Sequence, residues 1–140
     1  FGSECYDASN IIIRDCRFNG TSNILLFKIR PDTPQRYENV LAENCTGITR
    51  FGIRTRVWTQ FFDKKDRADM PRSVVNNVTM RNINVVCTEC FYNMQPSDKY
   101  NLGSFVFENI YAKDPVGKMD TSFLGSCKLK NVKVYGTVIK

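Results

Sequence analysis

Histidine is absent from this 140-residue chain, and its absence excludes several kinds of chemistry. Without histidine these residues form neither a zinc finger with histidine ligands nor a site with a catalytic imidazole. The chain also lacks an apolar run near the ~18 residues that a membrane-spanning helix needs. It shows no secretory signal pattern and starts at Phe1 rather than at methionine. We therefore expect one domain or part of one, trimmed or processed from a longer protein.

Long runs of positive charge are also missing, although the chain is basic overall. Its formal net charge is +6, which suits an anionic partner. The lysines and arginines are scattered, however, and no cluster of five or more occurs. A nucleic-acid binder would concentrate basic and aromatic residues on one face. We expect mostly solvated cations with a modest basic excess, and neither a nucleic-acid nor a membrane partner.

Cysteine is present six times, and the even count permits disulfides without proving them. Cys87 and Cys90 form a C-x-x-C motif, but the second pair that a zinc site would need is missing. We therefore predict buried thiols or a local disulfide rather than a metal site. No cofactor is expected.

A seven-residue pattern that begins with asparagine recurs along the chain. The first two copies read NIIIRDC and NVLAENC, and the others read NVTMRNI, NIYAKDP and NVKVYGT. They start at Asn10, Asn39, Asn77, Asn109 and Asn131, which are 29, 38, 32 and 22 residues apart. Repeats of this length indicate stacked structural units whose loops vary in size.

Within each window, apolar residues at the second and fourth positions alternate with mostly polar ones, which is the period of a half-buried strand. The sixth position holds residues that tolerate positive φ: Asp15, Asn44, Asn82, Asp114 and Gly136. A second apolar column lies 14 residues after each leading asparagine: Ile24, Ile53, Phe91 and Phe123. The pattern predicts an all-β chain folded as a right-handed parallel β-helix, a solenoid of single-strand coils over residues 1–140. Cys16 and Cys45 would meet in neighbouring coils, as free thiols or as a disulfide.

The order of three motifs resembles glycoside hydrolase family 28, the polygalacturonase-like pectin hydrolases, and in particular its bacterial branch. In that family a Gly-Ser-Glu, a coil of the type N-V-x-V-x-N-C-x-F and an Arg-Ile-Lys strand follow one another. Here Gly2-Ser3-Glu4, residues 10–18 and Leu26–Lys28 stand at close to this spacing. The runs FGIRTRVWTQFF and GSFVFENIYAKDP also resemble later coils of the family.

The resemblance implies inverting hydrolysis of glycosidic bonds in pectin-type polysaccharide. One carboxylic acid protonates the leaving oxygen, and carboxylates roughly 6.5–9.5 Å away activate water. In the family those carboxylates precede the Gly-Ser-Glu motif. We therefore expect only C-terminal coils here, with no catalytic residue among them and no activity in this piece alone. The parent enzyme would be secreted or periplasmic.

The resemblance implies that the residues of this chain include part of the substrate-binding site. Lys28 matches the family lysine that would bind a galacturonate carboxylate, whereas Leu26 replaces the family arginine. Arg30 is then a candidate for the missing cation, Arg54 for an extension of the site, and Glu4 for orienting Lys28. The alternative for each is an ordinary surface charge. The family tyrosine of the next coil falls near Gln60–Phe62.

Two other classes of protein compete with the hydrolase. A pectate-lyase-like polysaccharide lyase would need Ca²⁺-binding carboxylate clusters, and no strand shows one. A non-catalytic β-solenoid binding module is the other. We expect an acidic, galacturonate-containing polysaccharide as partner. Because a coil cut from its neighbours exposes unpaired strand edges, we also expect pairing with missing N-terminal coils or with a second copy.

Overall fold

The computed structural model describes residues 1, 4–58, 72–135 and 137–139. They form strands and connecting segments, and no helix occurs among them. The strands are β1 (Asp7–Arg14), β2 (Arg17–Ile29), β3 (Arg36–Val57), β4 (Ser73–Asn93), β5 (Tyr100–Leu102), β6 (Ser104–Lys113), β7 (Ser126–Val134) and β8 (Thr137–Ile139).

The eight strands belong to one sheet whose main order is β1-β3-β4-β6-β7-β8. The long strand β3 pairs with β1 along its first half and with β2 along its second half. On its other side β3 pairs with β4, which in turn pairs with β5 and β6. These pairings and that of β6 with β7 are parallel, whereas the short β8 runs antiparallel to β7. The predicted all-β chain of parallel strands is therefore confirmed.

Alternate side chains of neighbouring strands point inward and pack in rows across the sheet. One row joins Val40, Val78 and Phe105, which are paired in register and buried. The next inward row contains Ala42, Met80 and Phe107, each fully buried. Burying a large apolar side chain contributes roughly 1.5–3 kcal/mol. The period-two alternation in the sequence thus becomes the core of the fold.

Asparagine side chains form two ladders at bends of the sheet. In the first ladder Asn39 donates from Nδ2 to Oδ1 of Asn10 at 3.0 Å, and Asn77 donates to Asn39 at 2.6 Å. The second ladder contains Asp15, Asn44, Asn82, Asn109 and Asn131. Every member of both ladders has φ between 53° and 58°, a conformation that asparagine and aspartate tolerate better than most residues.

The second ladder corrects the predicted alignment of the last two windows. Asn109 donates to Oδ1 of Asn82 at 3.0 Å, and Asn131 donates to Asn109 at 2.9 Å. Both were predicted to align with the first ladder. The error arises because an asparagine followed by apolar alternation occurs at both bends. Local sequence therefore does not distinguish one bend from the other.

Asp114 was predicted to stand in the column of Asn82, and this is also wrong. Its carboxylate is buried and accepts hydrogen bonds from the main-chain N–H groups of Phe91, Val116 and Gly117. A buried carboxylate needs such partners, because an uncompensated buried charge is costly. Gly136, predicted for the same column, lies outside the described residues.

The predicted second column is displaced by one residue. Ile53 pairs with Leu25 and Tyr92 rather than with Ile24 and Phe91. Register shifts earlier in β2 and β4 cause the displacement, since one extra residue in a strand moves every later partner by one. Phe123 lies in a turn rather than in the predicted strand.

Candidate functional site

Two cations lie side by side on the outer surface of β2 and β3. Lys28 and Arg56 are paired in register, and the residues flanking Lys28 in β2 are fully buried, so its side chain alternates outward. The Lys28 Nζ lies 4.5 Å from the centre of the Trp58 ring, and the Arg56 guanidinium lies 5.1 Å from it. The Trp58 main chain is held in place because its N–H donates to the carbonyl of Ile29 at 2.8 Å. Cation–π attraction at such distances favours this clustering.

Arg54 adds a third cation to the same surface. It is paired in register with Leu26 and Asn93, and its guanidinium lies 4.4 Å over the ring of Phe51. Its Nε atom is buried without a hydrogen-bond partner. Burial lowers the pKa of Arg54, and repulsion from neighbouring arginines, Arg56 first, lowers it further.

We call Lys28, Arg54, Arg56 and Trp58 the cationic face. Among the described residues, no carboxylate lies within 4 Å of any of its three cations. The nearby Arg50, by contrast, has an ion pair with Glu89 at 3.4 Å. Within the described ranges, the cationic face therefore presents positive charge without a carboxylate partner, beside an aromatic ring.

Arg30, unlike the three cations of the cationic face, has a carboxylate partner among the described residues. Arg30 follows the end of β2, and its guanidinium donates two hydrogen bonds to Asp32, at 2.9 and 3.1 Å. The pKa of Arg30 is raised mainly by Asp32, with a smaller contribution from the charge of Glu4. Glu4 is exposed and forms no ion pair with Lys28 in the described structure. Gly2, Ser3 and residues 60–62 of the resemblance lie outside the described residues.

A second outer surface has the opposite character, and sequence reasoning missed it. Glu43 accepts a hydrogen bond from Nε of Arg14 at 2.6 Å and another from Nη2 of Arg81 at 2.9 Å. Further along the same row, Lys130 donates to Glu108 at 3.2 Å. We call this row the charge ladder: Arg14, Glu43, Arg81, Glu108 and Lys130.

The signs of the charges carried the signal that could have revealed the ladder. The predicted alignment placed Arg81 in the same column as Lys113, whereas the structure pairs Arg81 with Glu108. Like charges in direct register are destabilising and opposite charges are favourable. Requiring alternating signs would have selected the correct register. The arginines also hold the pKa of Glu43 below its ordinary value, Arg81 contributing first.

Beside the charge ladder lies an open groove of about 390 Å³. Its lining includes the three residues of the first asparagine ladder, together with Ile12, Leu41 and Arg81. The groove has no paired carboxylates among its lining residues, so it offers no acid–base pair of the kind that hydrolyses glycosides.

The six cysteines are free thiols in the structure. Cys16 and Cys45 occupy neighbouring positions, as predicted, because the N–H of Thr46 donates to the carbonyl of Cys16 at 3.0 Å. Burial raises the pKa of Cys87 to about 12, which keeps its thiol protonated. In the part of the chain that the structure describes, no three cysteine or carboxylate side chains gather as a metal site would require.

Comparisons with known proteins do not show which family the chain belongs to. No protein-family model, curated protein or solved structure matches the chain. Across the described ranges, no helix has the length and apolar character to cross a membrane.

Proposed function

We propose that this chain forms coils of a right-handed parallel β-helix and binds acidic polysaccharide through the cationic face. One observation carries the binding proposal: Lys28 and Arg56 lie in register over Trp58, with no described carboxylate to neutralise them. The parallel strand order and the two asparagine ladders support the β-helix.

A uronate residue suits the chemistry of the cationic face. Its carboxylate forms charge-assisted hydrogen bonds with an ammonium or guanidinium group. Its sugar ring also has an apolar face that can pack against an indole. Lys28 and Arg56 lie on neighbouring strands, whose backbones are about 4.8 Å apart. A polymer with a carboxylate on each unit can therefore engage more than one cation at once.

The resemblance of the sequence motifs to pectin hydrolases extends the proposal from binding to hydrolysis of the polysaccharide. We assign the chain to the substrate-binding part of a secreted or periplasmic, polygalacturonase-like hydrolase whose reacting carboxylates lie outside these residues. Incubated with polygalacturonate, the chain itself then releases no reducing ends. Release of reducing ends by purified chain would overturn this assignment while leaving the binding proposal intact.

Isothermal titration with an oligogalacturonate of about six units tests the binding proposal. Hydrogen bonds to charged groups contribute about 1.5–3 kcal/mol. We therefore expect Lys28→Met and Arg56→Met each to weaken binding about tenfold to a hundredfold. Lys130→Met is the matched control, since Lys130 is an exposed lysine of the charge ladder, and it should change the affinity less than twofold.

The fully methyl-esterified oligomer is the ligand control, because it keeps the sugar rings and loses the charges. We expect it to bind weakly or not at all. The proposal would be contradicted if the ester bound as tightly as the charged oligomer, or if Lys28→Met and Lys130→Met weakened binding equally. The proposal would also be wrong if the chain bound duplex DNA and oligogalacturonate did not compete with that binding.

A further inference from the structure

Among the described residues the outer edge of β1 is unpaired, whereas the other ends of the sheet are partly covered. β1 pairs with β3 on one side, and no described residue pairs with its other side. The edge of β2 is met by Phe1, whose carbonyl accepts from the N–H of Lys28 at 3.1 Å. At the opposite end, β8 covers part of β7. An exposed strand edge is a template for pairing with another strand.

Two hydrogen bonds show which main-chain groups of β1 face that open edge. The carbonyl of Tyr6 accepts from Arg36 in β3 at 2.9 Å, and the N–H of Asp15 donates to Glu43 in β3 at 3.1 Å. Main-chain groups alternate in direction along a strand. Counting inward from both bonds leaves four residues with groups at the open edge: Asp7, Ser9, Ile12 and Arg14.

Asn10 makes this set symmetric. Its left-handed conformation, with φ of 58°, interrupts the alternation between the two halves of β1. The four edge residues are therefore arranged symmetrically about the bond between Asn10 and Ile11. A two-fold axis at that point would place Asp7 opposite the partner's Arg14, and Ser9 opposite the partner's Ile12. Both are pairs in which each residue offers free main-chain groups, as an antiparallel ladder requires.

The side chains fit the same axis. Asp7 and Arg14 are both exposed and carry opposite charges. Ala8 and Ile13 are partly buried and pack against the core. Across the axis, Ala8 would meet the partner's Ile13, and the apolar core would continue from one copy into the other. Ile12 is 59% exposed and would gain cover from the partner's Ser9 side of the sheet.

We propose that a second copy of this chain docks on β1 through antiparallel, two-fold pairing of the two β1 edges. Charge complementarity between Asp7 and the partner's Arg14, made twice by the symmetry, selects this register. The intramolecular ion pairs of these residues do not oppose it. Asp7 and Arg36 are about half exposed at 3.4 Å, and Glu43 keeps Arg81 as a second cation. The proposal does not depend on carbohydrate binding, but it competes with the hydrolase assignment, because coils that precede β1 in a longer chain would pair with the same edge.

Charge exchange tests the pairing by light scattering coupled to size exclusion, at about 10–100 µM protein. We expect the wild-type chain to run as a dimer. Asp7→Arg places two arginines opposite two arginines, and Arg14→Asp places two aspartates opposite two aspartates. Each variant should run as a monomer, with dimerisation weakened at least tenfold. An equimolar mixture of the two should restore the dimer, because every pair is then opposite in charge.

Ser9→Pro is the second variant. It removes a main-chain N–H that faces the open edge, and proline is tolerated there because β3 does not use that donor. We expect a folded monomer by circular dichroism. Lys128→Asp, on β7 at the other end of the sheet, should stay dimeric. A monomeric wild-type chain, or a mixture of the charge variants that stays monomeric, would overturn the proposal.

Discussion

The charge ladder and the cationic face are two outer surfaces of one sheet, and they handle stacked charges in opposite ways. In the charge ladder, Glu43 stands between Arg14 and Arg81 and forms an ion pair with each. On the cationic face, Lys28 and Arg56 are direct neighbours of the same sign. Because like charges in register are destabilising, Lys28 and Arg56 repel each other, and no carboxylate among the described residues offsets that repulsion. In the charge ladder, by contrast, every cation has a carboxylate as its neighbour.

The largest effect should come from making the charge ladder resemble the cationic face. Glu43→Lys would put a third cation between Arg14 and Arg81, so we expect a clear fall in the thermal unfolding midpoint, partly reversed by added salt. Glu89→Lys is the matched control, because Glu89 is exposed and has one cationic partner. A midpoint for Glu43→Lys as high as that of Glu89→Lys would show that the ladder adds no stability.

Acid should remove the same stabilisation. The folded-state pKa of Glu43 lies below its ordinary value of 4.5, because it accepts hydrogen bonds from Arg81 and Arg14. Its stabilising contribution is therefore present above pH 4.5 and is lost as the pH falls through the lower folded-state pKa. Urea unfolding at several pH values measures this loss. Glu43→Gln should flatten the curve below pH 4.5, and an unchanged slope would contradict the assignment.

The converse change would make the cationic face resemble the charge ladder. Asn93→Asp places a carboxylate in register with Arg54. We expect stability to rise by about 0.5 kcal/mol at low salt, while affinity for oligogalacturonate falls. Asn101→Asp, on the short strand β5, is a control that adds the same charge elsewhere. If both variants bind as the wild type does, the charge of the cationic face is not what binds the ligand.

The smallest effect is expected at the end of the charge ladder. Lys130 is 76% exposed and pairs with Glu108 alone, and exposed ion pairs contribute about 0–1 kcal/mol. Lys130→Ala should therefore shift the urea midpoint by less than any change at Glu43. A shift as large as that of Glu43→Gln would mean that the ladder acts as one cooperative unit.

Much of the fold followed from the sequence, and the failures have a common cause. Apolar alternation after Asn10, Asn39 and Asn77 predicted inward-facing strand residues, and Val40 and Val78 are buried as expected. Asn109 was placed at the wrong bend, because both bends carry the same local signal. Ile24 is predicted one residue early, because the local sequence carries no signal of the register shift in β2.

The candidate site was predictable only in part. Lys28 is predicted from the sequence to bind substrate; it lies on the outer surface, as an ordinary surface lysine would, so its binding role stays a prediction. Its neighbours were harder to foresee: Arg30 looked like a second cation for the same site, yet Asp32, two residues later, holds its guanidinium. Whether a cation is compensated depends on which carboxylate the chain brings within about 4 Å. Spacing within a single strand does not reveal that.

The sequence by itself determined the period-two strands, the asparagine bends and the absence of a histidine-based site, because each depends on residue types that lie close together in the chain. Tertiary structure alone decided the register of the strands and the compensation of the charges. The partners of Glu43 are 29 and 38 residues away. Loop lengths and register shifts between them fix which side chains meet.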